Sequence, residues 1–203
     1  MYKVFFNQKP IVLTTDMILL KEDSPLFYVK FTNKKFITQV LKSKKIKMLY
    51  LYHPKEEKLW HYFCKMFKLI EAAGGLVKNL KTNNFLFIYR NKKWDLPKGR
   101  INKNEQVKNA AIREVEEETG VENLSIIKPL NTTYHIFKKN RKYCLKKTFW
   151  YLMNTDYVHK LTPETKEGIE EAIWIDKNSI GSLKSKMYQN INLVISNYFD
   201  SHK

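Results

Sequence analysis

Gly99-Arg100-Ile101-Asn102-Lys103-Asn104-Glu105-Gln106-Val107-Lys108-Asn109-Ala110-Ala111-Ile112-Arg113-Glu114-Val115-Glu116-Glu117-Glu118-Thr119-Gly120-Val121 is the most informative stretch of this chain. Its periodicity predicts a helix. Asn102 or Asn104 supplies an N-cap, Glu105 lies near the first turn, and Gly120 is a natural residue to follow the last turn. At ~100° per residue, with Glu114 at zero, Val107, Ala110, Ala111, Ile112 and Val115 share one arc from about 320° round to about 160°. Glu105, Gln106, Asn109, Arg113 and Glu116 fall on the opposite, solvated arc, and Lys108 is the one polar misfit on the apolar side.

Two carboxylates break the pattern. Glu118 falls near 40°, inside the apolar arc, and Glu117 near 300°, at its edge. Burying carboxylates without partners is costly, and like charges one turn apart repel. A cation should therefore sit against them. Oxygen-only ligands favour Mg²⁺, with Mn²⁺ as the alternative, over zinc or copper. The small side chains of Ala110 and Ala111 leave room for ions and a phosphate chain.

Working outward, the segment preceding this helix is Trp94-Asp95-Leu96-Pro97-Lys98-Gly99, and short strands surround it. Residues 76–79 and 85–89 read as two strands joined by a Lys81-Thr82-Asn83-Asn84 turn, with further strands at 124–127, 133–137, 148–153 and 172–175. A last amphipathic helix is expected over 184–199. Upstream, Tyr2–Phe6 and residues 11–14 flank an Asn7-Gln8-Lys9-Pro10 turn, and 26–31 and 46–52 are strand candidates. Asn33 should cap a helix over 34–41. A second helix is expected from Pro54 to Ala73, ended by Gly74-Gly75. The organisation that follows is residues 1–71 as a small N-terminal α/β unit of unassigned role, then 72–203 as a second unit.

Composition bounds the function classes. The chain has 203 residues and 43% apolar content, too apolar for a disordered polymer. No apolar run approaches the ~20 residues of a membrane span, and Met1-Tyr2-Lys3-Val4-Phe5 lacks signal-peptide layout. Cys64 and Cys144 make neither a disulfide framework nor a metal site, and the five histidines (53, 61, 135, 159 and 202) show no ligand spacing. These features predict a cytoplasmic protein with no membrane partner. The 37 Lys and Arg against 20 Asp and Glu give a net charge of +17, which attracts polyanions. Along the sequence the surplus is even, +9 over residues 1–70 and +8 over the rest, so there is no basic tail.

Gly99, five residues, Glu105, seven residues and then Arg113-Glu114-Val115-Glu116-Glu117-Glu118-Thr119-Gly120-Val121 resembles the Nudix box without a departure. The resemblance covers roughly residues 72–180 and implies an α/β/α sandwich with a mixed sheet, hence an α/β fold class. It implies a pyrophosphohydrolase that cleaves a nucleoside diphosphate linked to another moiety, with divalent metal. Carried over by position, Glu114, Glu117 and Glu118 look like the metal-binding carboxylates, joined by the backbone carbonyl of Lys98. Arg113 looks like an orienting residue paired with Glu105. The general base stays open between a box glutamate, Glu114 or Glu117, and a loop glutamate, Glu167 or Glu170, with Glu164 and Glu171 beside them.

The residues 94–99, together with 146–153 and 166–171, are similar to Nudix enzymes that cleave diadenosine or diphosphoinositol polyphosphates. The implied substrate is a phosphate-rich small molecule, a dinucleoside polyphosphate first, with a nucleoside triphosphate or an RNA 5′ end as the alternative. A non-catalytic ligand- or nucleic-acid-binding protein is the third possibility, which the intact box disfavours. Arg90, Lys98 and Lys147 are the cations expected to meet phosphates, within a basic stretch at 137–147. Tyr134 is an aromatic available to stack a base. Whether the chain forms a homodimer stays open.

Overall fold

A computed structural model describes residues 1–17 and 24–200; His202 lies outside them. The chain divides into two compact units. The first joins Met1–Ile70 with Tyr134–Lys147, and the second joins Glu71–Thr133 with Thr148–Lys203.

The chain forms β1 (Tyr2–Phe6), β2 (Lys9–Thr14), β3 (Leu26–Tyr28), α1 (Lys34–Lys42), β4 (Leu49–Tyr52), α2 (Glu56–Lys65), β5 (Lys68–Asn79), β6 (Phe85–Arg90), β7 (Lys93–Asp95) and β8 (Lys98–Arg100). It continues with α3 (Val107–Thr119), β9 (Ser125–Pro129), β10 (Thr133–Lys139), β11 (Lys142–Thr155), β12 (Ile169–Ile175), α4 (Ile180–Leu183) and α5 (Gln189–Asp200). Among the described residues no helix is long and apolar enough to cross a membrane. Cys64 and Cys144 are free thiols.

In the first unit the strand order is β10-β1-β2-β4-β3. The pairs β1–β10, β2–β4 and β3–β4 are parallel, whereas β1–β2 is a hairpin. That hairpin turns on Asn7 and Gln8 alone, with Asn7 at φ 56°, so Lys9 and Pro10 belong to β2 rather than to the turn. Asn tolerates the left-handed region where most side chains clash. Strand β3 is shorter than expected, because residues 29–31 close into a 3₁₀ turn. Asn33 caps α1, its side chain accepting from the Phe36 N–H at 2.9 Å. The core gathers Val4, Ile11, Leu13, Ile37, Leu49, Leu51 and Phe63. Tyr134 packs against Tyr2 and Trp60 in this unit, so it is a packing residue rather than a base-stacking one.

In the second unit β12, β6, β5 and β11 lie side by side; β7 pairs with β6, β8 with β5 and β9 with β11. Alternation along the strands feeds two cores. Leu76, Phe85 and Phe87 meet Ile191, Val194 and Ile195 of α5 on one face. Val77 and Leu86 meet Ala110, Ala111 and Val115 of α3 on the other. The sheet between α3 and α5 is the expected α/β/α sandwich; its pairs β5–β6, β5–β8, β6–β7, β6–β12 and β9–β11 are antiparallel, and the parallel pairs that make the sheet mixed are β1–β10, β2–β4 and β3–β4 of the first unit.

Three expectations are corrected. The helix from Pro54 stops at Lys65, and residues 68–79 form one long strand that runs through Gly74-Gly75. These glycines allow close approach instead of ending a helix: a Cβ on Gly74 would strike the Pro97 carbonyl and Lys98. The last helix is broken, because Met187 is fully buried and bridges to Trp94 before α5 starts at Gln189. Helix α3 begins at Val107 with Gln106 at the N-cap position, so neither Asn102 nor Asn104 caps it. Asn104 instead takes a positive φ in the preceding turn.

Candidate active site

Helix α3 ends where expected. Gly120 sits at φ 69° and returns its N–H to Glu116 O at 2.7 Å. The loop after β11 is stitched to this end, Thr162 N–H donating to Thr119 O at 2.8 Å and Glu164 N–H to Glu118 O at 3.2 Å. The helix therefore presents its acids at the junction of β5, β8 and the loop that leads into β12.

Glu114 and Glu118 are buried at 6% and 2% exposure, and Glu117 projects outward. Each has a cationic partner. Arg113 Nε and Nη2 clamp Glu105 at 2.8 and 2.9 Å, and Nη2 also donates to Arg100 O at 3.1 Å. Its Nη1 is shared between Glu114 at 2.9 Å and Glu117 at 2.8 Å. Glu105 also accepts from the Asn102 N–H. The bidentate pair with Arg113 holds the Glu105 carboxyl down at about 2 and raises the Arg113 guanidinium further. Arg113 thus lies on the helical face predicted as solvated, yet it is half-buried because the 100–105 loop folds over it.

Beneath this lies a buried second cluster. Glu118 accepts from Arg90 Nη1 at 3.2 Å and from the Lys98 backbone N–H at 2.8 Å. Asp95 accepts from Lys98 Nζ at 2.6 Å, from Arg90 Nη2 at 3.4 Å and from the Leu96 N–H at 2.8 Å. Burial pushes Glu118 up to about 7, against the opposing pull of Lys98 and Arg90. Burial also raises Glu114, although Arg113 opposes it. Burial would raise Asp95 too, but Lys98 and Arg90 outweigh it and hold the carboxylate ionised.

Gly99 fits between these clusters for a specific reason. A Cβ there would occupy the place of the Glu114 carboxylate. The glycine leaves a cradle in which that carboxylate rests against the backbone of β8.

The expected phosphate-binding cations are used differently. Lys98 Nζ is buried and turned inward to Asp95 and the Leu96 carbonyl. Arg90 spans Glu118 and Asp95. Lys147 belongs to the first unit, where its charge lowers the Cys64 thiol against a larger upward push from burial. Of the loop glutamates, Glu167 acts electrostatically on both Glu114 and Arg90. Glu164 caps the 3₁₀ turn through the Lys166 N–H at 3.0 Å. Glu170 is exposed in the register shift of β12, between Ile169 opposite Arg90 and Glu171 opposite Tyr89. Asp95 was missed by sequence reasoning, and its only sequence signal is a charge amid an apolar Trp-Asp-Leu-Pro run. Among the described residues no three acidic, His or Cys side chains are spaced to share one cation.

A sequence model described as the NUDIX domain matches residues 68–197, more than half of the chain. The chain belongs to the Nudix family. It is a hydrolase of phosphorus-containing acid anhydrides. This Nudix chain is 27% identical over 143 residues to an RNA pyrophosphohydrolase of Bartonella tribocorum, an alignment spanning 64% of this chain and 83% of that protein. Among solved structures it resembles the NUDIX domain of Shewanella oneidensis NrtR complexed with ADP ribose, at TM-score 0.51 and 17% identity, covering 73% of this chain and 99% of that one. It also resembles the Escherichia coli dihydroneopterin triphosphate pyrophosphohydrolase, at TM-score 0.50 and 16% identity, covering 65% and 96%. These two likenesses establish the Nudix fold alone.

Proposed function

We propose that the Nudix unit cleaves a phosphoanhydride bond in the polyphosphate chain of a nucleotide, with the RNA 5′ end as the first substrate and dinucleoside polyphosphates as the second. The observation that carries the site assignment is the single Arg113 nitrogen shared by Glu114 and Glu117 above the buried Glu118. Two carboxylates that converge on one cationic atom can converge on another cation. Every donor in the set is a hard oxygen, which fits Mg²⁺ or Mn²⁺. Glu114, Glu117, Glu118 and the Lys98 carbonyl are the residues that would hold such ions between them, not all on one ion, since no three of the described acids are spaced to share one. When bound, such an ion neutralises phosphate charge and makes water more acidic.

The chain's own residues do the rest. Arg113, anchored by Glu105, keeps Glu114 and Glu117 aligned. Arg90 and the Lys98 N–H fix Glu118 at the floor. Glu167, whose charge already bears on Glu114, is the loop residue best situated to take a proton from water, with Glu114 as the box alternative. The RNA end is preferred because the Bartonella tribocorum relative carries that activity in its name. The resemblance of residues 94–99 to diadenosine polyphosphate hydrolases favours the second substrate.

The test is hydrolysis of 5′-triphosphorylated RNA, diadenosine tetraphosphate and nucleoside triphosphates with Mg²⁺ or Mn²⁺. Turnover should fall at least ~100-fold in Glu117→Gln. Equal turnover in that variant would overturn the assignment of Glu117, and selective cleavage of the dinucleotide would reverse the substrate order.

A further inference from the structure

The first unit carries almost all of the chain's net charge. Met1–Ile70 with Tyr134–Lys147 holds 20 Lys and Arg against 5 Asp and Glu, a net +15, whereas the second unit holds 17 against 15, a net +2. The hairpin made by β10 and β11 explains why the surplus is even along the sequence but not in space. Its six basic residues, with no acid among them, fold back onto the first unit.

The same unit has a row of rings at the carboxyl end of its parallel strands. Tyr28 and Tyr52 are register partners at the ends of β3 and β4. From Tyr28 the row runs to Phe31 at 5.5 Å in one direction, and to His53 at 5.1 Å and on to Tyr62 at 5.7 Å in the other. Phe31 is 81% exposed, and Tyr28 and Tyr52 are half-buried. A single exposed Phe is ordinary; one that continues a ladder of rings is a platform. Lys30 lies between Tyr28 and Phe31, Lys34 opens α1 three residues on, and Lys55 donates its N–H to His53 Nδ1. All three lysine side chains are exposed. Among the described residues the acids at this edge are Asp16, Glu56 and Glu57, of which Glu56 faces the N-terminal amine at 3.9 Å.

We propose that this edge of the first unit binds single-stranded RNA, its bases stacking on Phe31 and Tyr28 and its phosphates running past Lys30, Lys34 and Lys55. Stacking needs bases whose faces are open, which a duplex keeps inside. A charge of +15 spread over 84 residues suits a long polyanion better than a compact dinucleotide. Away from Phe31 the row ends in Tyr62, whose polar tip suits nucleobases and solvent more than a lipid interior, while His53 within the row is buried. The proposal concerns binding by the first unit and does not depend on which anhydride the second unit cleaves.

The test uses the full chain and an oligouridylate of about twelve nucleotides with a 5′ hydroxyl and a 3′ fluorophore, which offers nothing to hydrolyse. Fluorescence anisotropy should show binding that weakens ~5- to 100-fold in Phe31→Ala and persists in Phe31→Trp, since base–aromatic stacking scales that way. Lys30→Gln and Lys34→Gln should each reduce the slope of log affinity against log salt by about 0.7. Phe31 is on the surface, so its variants should melt like the parent and hydrolyse a small nucleotide at the same rate. Unchanged affinity in Phe31→Ala, tighter binding of the matching duplex, or capture by phosphatidylglycerol vesicles without RNA binding would each overturn the proposal.

Discussion

Replacing Gly99 with Ala and Gly74 with Ala is the same chemical change in two neighbouring rungs of the β5–β8 pair, yet the two should fail differently. Ala73 stands opposite Gly99, and Gly74 stands opposite Lys98. At Gly74 the new methyl would meet backbone, the Pro97 carbonyl oxygen and Lys98 Cα, neither of which can step aside without moving the strand. Overpacking of that kind costs about 1–3 kcal/mol. At Gly99 the nearest atoms the methyl would meet are those of the Glu114 carboxylate, the free end of a flexible side chain. That carboxylate can swing away at the expense of its 2.9 Å bond to Arg113 Nη1, about 1.5–3 kcal/mol for a charge-assisted bond. Part of this is offset by about 0.4–1 kcal/mol, because Ala narrows the unfolded ensemble and Gly99 does not use a left-handed conformation. Gly99→Ala should therefore stay folded within about 2.6 kcal/mol of the parent. Its kcat should nevertheless fall ~100-fold, the usual penalty for ångström-scale misplacement of a catalytic group. Gly74→Ala should lose stability while the folded fraction retains more activity. Urea denaturation paired with initial rates measures both. Full activity in Gly99→Ala would refute the claim that this glycine exists to seat Glu114.

Asp95→Ala leaves Lys98 and Arg90 with one fewer acid in a buried cluster, and should cost about 3–5 kcal/mol in denaturant titrations. Glu118 supplies a pH dependence. Its carboxyl titrates near 7 in the folded protein, above the unfolded value of 4.5, so the native state binds the extra proton. Stability from this group is present below about pH 4.5 and is lost as pH rises through 7. Glu118→Gln should remove that loss, stabilising the metal-free protein at pH 8 by more than at pH 5, as thermal melts at the two values can show. Glu105 has the opposite sign: its depressed value makes its contribution present above about 4.5 and lost as pH falls toward 2. Gly120→Ala forces a Cβ onto a residue at φ 69°, beside Thr162, and should cost about 1–2 kcal/mol in the same melts.

The centre of the fold was legible because one helix carries contradictory demands. Glu118 falls in an apolar arc by periodicity, and in the structure it is buried at 2% exposure against Arg90 and the Lys98 N–H. Gly120 was readable as a terminator because its left-handed φ is a local requirement. Gly74-Gly75 was not, since a glycine that admits a neighbouring strand looks the same in sequence as one that ends a helix. The break before α5 was hidden too: Met187 keeps the apolar period while its backbone leaves the helix to bridge Trp94. The inward turn of Lys98 could not be seen without Asp95 beside it, because three-residue spacing in a Pro-containing loop implies no contact. The charge segregation depended on the hairpin 134–147 returning to residues 1–70, a long-range pairing of β10 with β1 that no local pattern encodes.

The two acidic clusters differ in how completely their charge is answered, and this separates scaffold from working surface. Glu105 has both oxygens on Arg113, and Asp95 has both oxygens occupied by Lys98, Arg90 and the Leu96 N–H. These acids are spent. Glu118 is held at both oxygens and shifted toward neutrality by burial. Glu114 and Glu117 must share a single nitrogen of a guanidinium whose other nitrogens are committed elsewhere. A carboxylate offers about four acceptor positions, so this pair is the least satisfied in the site. The tally is five acids, Asp95, Glu105, Glu114, Glu117 and Glu118, against three cations, Arg90, Lys98 and Arg113. The deficit lies where Glu117 reaches solvent, 58% exposed, and not in the buried floor. A fold that engages both oxygens of Asp95, Glu105 and Glu118 and leaves the buried Glu114 and the exposed Glu117 to share one nitrogen directs an incoming cation first to that pair.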